Sequence, residues 1–192
     1  SIQGTTLPIV ARKLKLTEKP PALPAASLEI TALEEVDADI VEYTLSEQPR
    51  AAGRRLSQMA LPDTTVVAMI TRGNEVIPPR GSTELHPRDH LFVVLRPETR
   101  PFVDCVFSDA PDKVSSDFSD QPLRLKGSTT LGDLAHSYGF TLTEHDELTL
   151  DALLRAKLPV PLSAGDTLAL DGMTLTVEGV LGERVTTVAL QI

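Results

Sequence analysis

Asp166–Gly179 reads DTLALDGMTLTVEG, and its centre decides how the last third of the chain folds. Asp171-Gly172 is a dipeptide suited to a two-residue type I′ turn, whose two central residues both need positive φ. Pairing outward from the turn sets Leu170 against Met173 and Leu168 against Leu175. With a side-chain period of two, these four residues and Val177 share one face, while Thr167, Ala169, Thr174 and Thr176 share the other. An apolar face backed by a polar one marks an antiparallel hairpin lying on a core. Arg184–Leu190 supplies a third strand, so the expected unit is an antiparallel meander.

Upstream of the hairpin the pattern changes. Ser128-Thr129-Thr130 can cap a helix over Leu131–Tyr138 with Leu134 facing inward. A second short helix is expected at Leu148–Leu154, ended by Pro159 and Pro161. A strand at Pro122–Leu125 precedes both.

The preceding part is built differently. Ala38–Leu45 (ADIVEYTL) alternates as a strand with at least one buried face. Ser46–Pro49 supplies cap and turn residues for a short helix over Ala51–Met59, which would bury Leu56 and Met59 and stop at Leu61-Pro62. Thr65–Thr71 and Glu75–Pro78 flank Arg72-Gly73-Asn74, and Gly-Asn is a hairpin signal. That register sets Arg72 opposite Glu75 and Ile70 opposite Ile77. Met69 and Val76 fall on the other side, so the hairpin is expected to be covered on both faces. His90–Leu95 (HLFVVL) reads as a buried strand, and the unit closes at Arg96-Pro97.

These readings give an α+β fold of two small domains, each a mainly antiparallel sheet with one or two short helices and each with its own aliphatic core. The expected domains are residues 28–97 and 121–192. Between them, residues 98–120 are rich in Pro and Asp and read as an acidic linker, with an apolar island, Phe102–Phe107, read as a strand packed on either neighbour. Residues 1–27 lie ahead of the folded body. Ser1–Leu16 is moderately apolar and ends in a basic cluster, as a membrane helix does on leaving the bilayer on its cytoplasmic side. A frayed amphipathic terminus fits that stretch equally well. Pro20, Pro21 and Pro24 then favour an extended spacer.

Composition narrows the function. Over 192 residues the apolar fraction is 41%, but aromatics make up only 4% and Trp is absent, so the core must be aliphatic. The net charge is −9, while Arg12, Lys13, Lys15 and Lys19 concentrate positive charge at the start. So acidic a body repels polyphosphates, and nucleic acid is not an expected partner. The lone cysteine, Cys105, rules out an internal disulfide and fits a reducing compartment. No window of about 18 apolar residues spans a membrane, and no signal peptide is visible. The chain is expected to be a soluble fragment of something longer.

The residues offer no catalytic constellation. G-x-S-x-G, P-loop and G-x-G-x-x-G patterns are all missing. Cys105 stands beside Asp104, which disfavours a thiolate, and reads as structural. His86 and His90 have the spacing of helical metal ligands, but Pro87 lies between them and a strand follows, so a surface turn is the better reading. His136 and His145 with Glu144, Asp146 and Glu147 could form a cation or pH-sensitive patch, or simply a solvated loop. The chain is therefore expected not to be an enzyme and to hold no metal.

Val66–Leu95, VVAMITRGNEVIPPRGSTELHPRDHLFVVL, resembles the C-terminal domain of regulators of K+ conductance, also called the TrkA C-terminal domain. The match runs through strand, charged turn, Ile77-Pro78 and the Asp89 step into a final strand. It departs at Arg88, where that family usually has Gly. Residues 121–192 resemble the transporter-associated domain of cobalt/magnesium-efflux (CorC) and haemolysin-C-like (HlyC) proteins, through Thr130-Leu131-Gly132-Asp133-Leu134, Asp146–Leu154, Pro161, Gly165-Asp166 and the terminal hairpin. The opening QGTTLPIVARKL is similar to the end of the last membrane helix in NhaP-type antiporters of the cation:proton antiporter 1 family.

In this order the pieces resemble potassium/proton antiporters of Gram-negative bacteria. The resemblance implies a regulatory region on the cytoplasmic side of the bacterial inner membrane, attached to a membrane-embedded antiporter domain of the same chain. It implies a homodimer through the TrkA-C-like domain, and a small-molecule or ion effector, with a nucleotide or a monovalent cation as the classes to consider. Ile70, Arg72, Ile77 and Pro78 are the candidate lining residues. For any single one of them, an ordinary covered hairpin with a cross-strand charge pair is the better reading. The competing function is a ligand-independent assembly module.

Overall fold

A computed structural model describes residues 31–32, 37–47, 49–109 and 121–192. The expected membrane-proximal stretch and spacer at residues 1–27, and the second half of the acidic linker at 110–120, lie outside the described residues. Two antiparallel sheets organise the rest, and the α+β class holds. The first has five strands: β1 Thr31–Ala32, β2 Asp39–Thr44, β3 Val66–Arg72, β4 Glu75–Ile77 and β5 His90–Leu95, in the spatial order β1-β2-β5-β3-β4. The second has four: β6 Leu123–Lys126, β7 Thr167–Leu170, β8 Met173–Leu181 and β9 Arg184–Gln191, in the order β6-β9-β8-β7.

The strand at β2 and the buried strand at β5 follow their alternation, with Val41, Tyr43, Leu91, Val93 and Leu95 turned into the core. Both hairpins take the dictated register. Ile70 pairs with Ile77 and Arg72 with Glu75, while Leu170 pairs with Met173 and Leu168 with Leu175. Asp171 and Gly172 both have positive φ, at 47° and 84°, as a type I′ turn requires. The tip of that hairpin is also pinned, since Asp171 Oδ2 accepts the Thr143 amide at 2.9 Å. The first hairpin is not covered on both faces, because Val76 is 67% exposed.

Among the described residues three α-helices accompany the sheets: α1 Arg100–Phe107, α2 Leu131–Tyr138 and α3 Leu150–Lys157. Thr130 and Thr149 cap α2 and α3, each hydroxyl accepting the amide three residues on at 3.1 Å. α1 replaces the strand expected at Phe102–Phe107. Phe102, Val103, Val106 and Phe107 are buried, and their one-and-four spacing is helical; the surrounding Pro and Asp obscured it. Pro101 sits in the first turn, where a missing N–H costs nothing.

The helix expected over Ala51–Met59 is also absent. Only Leu56–Gln58 winds, as a 3₁₀ turn. Gly53 takes φ 72°, and the segment spends its backbone groups on a distant loop instead. Gly53 N–H donates to Leu85 O at 2.8 Å, Leu85 N–H to Arg54 O at 2.9 Å and Leu56 N–H to Thr83 O at 2.9 Å.

The cores do not stay separate. Buried side chains of the two sheets form one connected cluster, bridged by Phe102, Val103 and Val106 of α1 and by Leu134 and Tyr138 of α2. Phe102 and Tyr138 meet edge-on at 6.4 Å, a favourable aromatic geometry. Polar bonds finish the seam: the Tyr138 hydroxyl donates to Ala60 O at 2.6 Å, the Ala60 amide to Ser137 Oγ at 3.1 Å, and Arg50 Nη1 to Ser137 O at 2.9 Å.

Candidate functional site

The candidate residues lie where β3 turns into β4 beneath the loop leading to β5. Ile70 is fully buried, Ile77 is half-buried against its pairing partner, and Pro78 is exposed at the strand end. Pro78 O anchors the turn that follows, accepting the Thr83 hydroxyl at 2.7 Å and the Arg80 amide at 2.9 Å.

Arg72 faces Glu75 in register, but its guanidinium binds elsewhere. Nε donates to Asp89 Oδ1 at 2.7 Å and Nη2 to Asp89 Oδ2 at 2.9 Å, while Nη2 also donates to Glu84 O at 3.0 Å. Asp89 has no exposed surface, and its Oδ2 also accepts the His86 amide at 2.9 Å. Burial by itself pushes the Asp89 carboxyl up, but the Arg72 and His86 hydrogen bonds outweigh it and hold the group below the usual carboxylate range. Pairing with Asp89 raises the Arg72 guanidinium in turn. The two charges thus form a neutral, bidentate lock, the geometry in which Arg and carboxylate interact most strongly. As it stands, Arg72 anchors the loop and presents no spare fork to a ligand.

Arg88, the departure from the family pattern, has φ 68°. That is the left-handed conformation Gly adopts without strain. The chain keeps the backbone shape and accepts the strain of a side chain there. Flanking bonds hold it: Arg88 N–H donates to Leu45 O and Leu45 N–H to Asp89 O, both at 2.9 Å. The step into β5 is therefore stitched to the end of β2, which fixes where Asp89 points. Sequence reasoning placed Asp89 correctly at this step but missed it as the partner of Arg72. The usable signal was a single acid at the entry to a strand that is apolar after its first residue, His90.

The histidines disperse. His86 lies in the loop, and His90 Nδ1 is 3.0 Å from both Glu42 Oε1 and Thr44 Oγ1 on the neighbouring strand. His136 Nε2 donates to Arg50 O at 2.8 Å across the seam. Among the described residues, no group of three or more His, Cys, Asp or Glu side chains is placed to hold a metal ion, and no helix is long and apolar enough to cross a membrane. Cys105 lies half-buried beside Arg50 Nη1 at 3.8 Å.

The strand, turn and locked Asp step described above coincide with a match to the TrkA-C domain over residues 40–100. Residues 40–100 are thus similar to the TrkA-C family. The whole chain is also 30% identical, over 194 aligned residues, to the K(+)/H(+) antiporter NhaP2 of Shewanella oneidensis, covering 100% of this chain and 33% of that protein. The Shewanella baltica antiporter of the same name is 28% identical with the same coverage. The chain thus spans about a third of the length of these curated relatives. The Trk system potassium uptake protein TrkA homolog 1 of Methanosarcina mazei is 34% identical over 64 residues, 33% of this chain and 14% of that one. A solved structure of a functionally unknown conserved protein from Haemophilus influenzae Rd KW20 matches with TM-score 0.34 and 24% identity, covering 38% of this chain and 89% of that one. The stretch that matches the TrkA-C domain therefore holds β2 to β5, the Arg72–Asp89 lock and the start of α1.

Proposed function

We propose that this chain is the cytoplasmic regulatory region of a bacterial K+/H+ antiporter, performing no chemistry of its own and gating the membrane domain of the same protein. The carrying observation is the similarity to NhaP2 antiporters along its entire length, combined with a TrkA-C domain. Residues 121–192 act in this reading as a transporter-associated domain; their element order, a strand, two capped short helices and a three-stranded meander, supports it.

The TrkA-C part pairs with a second copy and responds to a small ligand or ion at the β3–β4 hairpin, near Ile77 and Pro78. Sensing requires different affinity for two arrangements of the region. The test is K+/H+ exchange in everted vesicles carrying the full-length protein or one truncated before residue 37. Scanning calorimetry of the present chain against nucleotides, cyclic dinucleotides, K+, H+ and divalent ions accompanies it. The expected outcome is exchange that survives truncation but loses its dependence on whichever effector shifts the melting temperature. Exchange with unchanged dependence defeats the regulatory reading, and a flat calorimetric response defeats sensing.

One observation favours the alternative of a ligand-independent assembly module: Arg72, the strongest candidate binding group, is already satisfied by Asp89 and Glu84 O. Light scattering separates the two, since an assembly module gives the same dimer at every effector concentration.

A further inference from the structure

Between the end of α3, the 160–162 loop and the β8–β9 turn opens a cleft of about 470 Å³, lined by Arg155, Val160, Pro161, Leu162, Gly182 and Glu183. Its volume falls in the range of small-molecule sites, which combine apolar walls with a few fixed polar groups. Leu162 is buried, whereas Val160 at the rim is 66% exposed and Leu181, next to Gly182 in the chain, is 76% exposed. Two of the most exposed large apolar side chains among the described residues thus stand at or beside this opening, where water is poorly accommodated.

The polar group at this cleft is held in place. Arg155 Nη2 lies 2.9 Å from Asp151 Oδ2, and Asp151 Oδ1 accepts the Val185 amide at 2.8 Å. The clamp ties α3 to the start of β9 and fixes the guanidinium through one of its nitrogens. The remaining N–H groups of Arg155 have no protein partner among the described residues. A guanidinium fixed beside an apolar wall recognises a planar anion through such groups. Glu183 on the lining adds a negative charge that opposes a second anionic group on the same ligand.

We infer that this cleft binds a small organic monoanion, with one carboxylate on Arg155 and an aliphatic body against Val160, Pro161 and Leu162. Every described lining residue belongs to the second sheet's unit, so the inference stands apart from the hairpin sensing proposed for β3–β4. The same cleft would place an effector away from the TrkA-C domain, on the unit joined to it by the Tyr138 seam.

The test titrates the whole chain with hexanoate, adipate, acetate and hexylammonium, followed by calorimetry and amide shift mapping. Hexanoate saturates, with shifts centred on residues 155–162 and 181–185. Acetate lacks the body and hexylammonium the charge, and both bind at least about tenfold more weakly, as does the dianion adipate. Arg155→Gln weakens hexanoate by about tenfold or more. Val160→Asp, at an exposed position that leaves folding intact, does the same. Glu183→Gln brings adipate close to hexanoate. Hexanoate that fails to saturate by about 10 mM, an affinity beyond the weak end of useful binding, overturns the inference. So does equal binding of hexylammonium, or affinity retained in both Arg155→Gln and Val160→Asp.

Discussion

The β3–β4 and β7–β8 hairpins share a two-residue connection and an edge position, yet they are secured by different physics. The β7–β8 arms run four paired positions with a continuous apolar face, so burial along that face fixes it. The β3–β4 arms pair at only three positions, and Val76 on the short arm is exposed. What fixes that hairpin is directional: Arg72 reaches seventeen residues along the chain to Asp89. A long amphipathic hairpin is held by area, whereas a short one needs a specific charged lock.

Breaking the lock gives the largest expected effect. Asp89→Asn leaves Arg72 without its counter-charge and should cost about 3 kcal/mol, the low end for a broken buried pair because Arg72 retains some solvent. Urea unfolding measures it. The pH dependence follows from the lowered Asp89 pKa. A carboxyl whose folded value lies below its unfolded one stabilises fully above the unfolded value and loses that contribution as pH falls through the folded value. The stability gap between wild type and Asp89→Asn should therefore be constant near neutrality and shrink below roughly pH 4. A gap independent of pH would mean that the lock is not ionic.

The seam comes next. Tyr138→Phe removes a buried donor and leaves Ala60 O unsatisfied, at an expected cost of ~1–2 kcal/mol. If the sheets behave as one body, a single unfolding transition persists; two transitions would restore the picture of independent cores. At the second hairpin, Gly172→Ala should cost about 1 kcal/mol. A Cβ there meets open space, so the penalty is purely backbone strain at φ 84°. The smallest effect has the opposite sign. Arg88→Gly relieves the left-handed strain and should stabilise by roughly 0.5 kcal/mol, after the entropy that Gly loses on folding. The exposed Arg88–Glu47 pair offsets little of this, since such surface pairs contribute almost nothing.

Legibility followed the range of the interactions. The helix at Leu131–Tyr138 was readable because its cap, Thr130, and its apolar spacing lie within a few residues of each other. Both hairpin registers were readable because a two-residue turn leaves no freedom in pairing. The segment around Gly53 misled because Ala51, Leu56 and Met59 carry a plausible helical spacing, while the winning bonds run to residues 81–85. Likewise, Arg72 was legible as a candidate, but its partner was not, since the adjacent Glu75 offered a nearer charge.

From the sequence alone follow the α+β class, the strand alternation, the caps and the two turns, all of which are settled by neighbours along the chain. Tertiary structure decided the rest: that α1 and Tyr138 join two expected cores into one, that Asp89 neutralises Arg72, and that Arg155 overlooks an open cleft. Each of these depends on groups far apart in sequence meeting where water is excluded, and local periodicity carries no information about which distant partner will arrive.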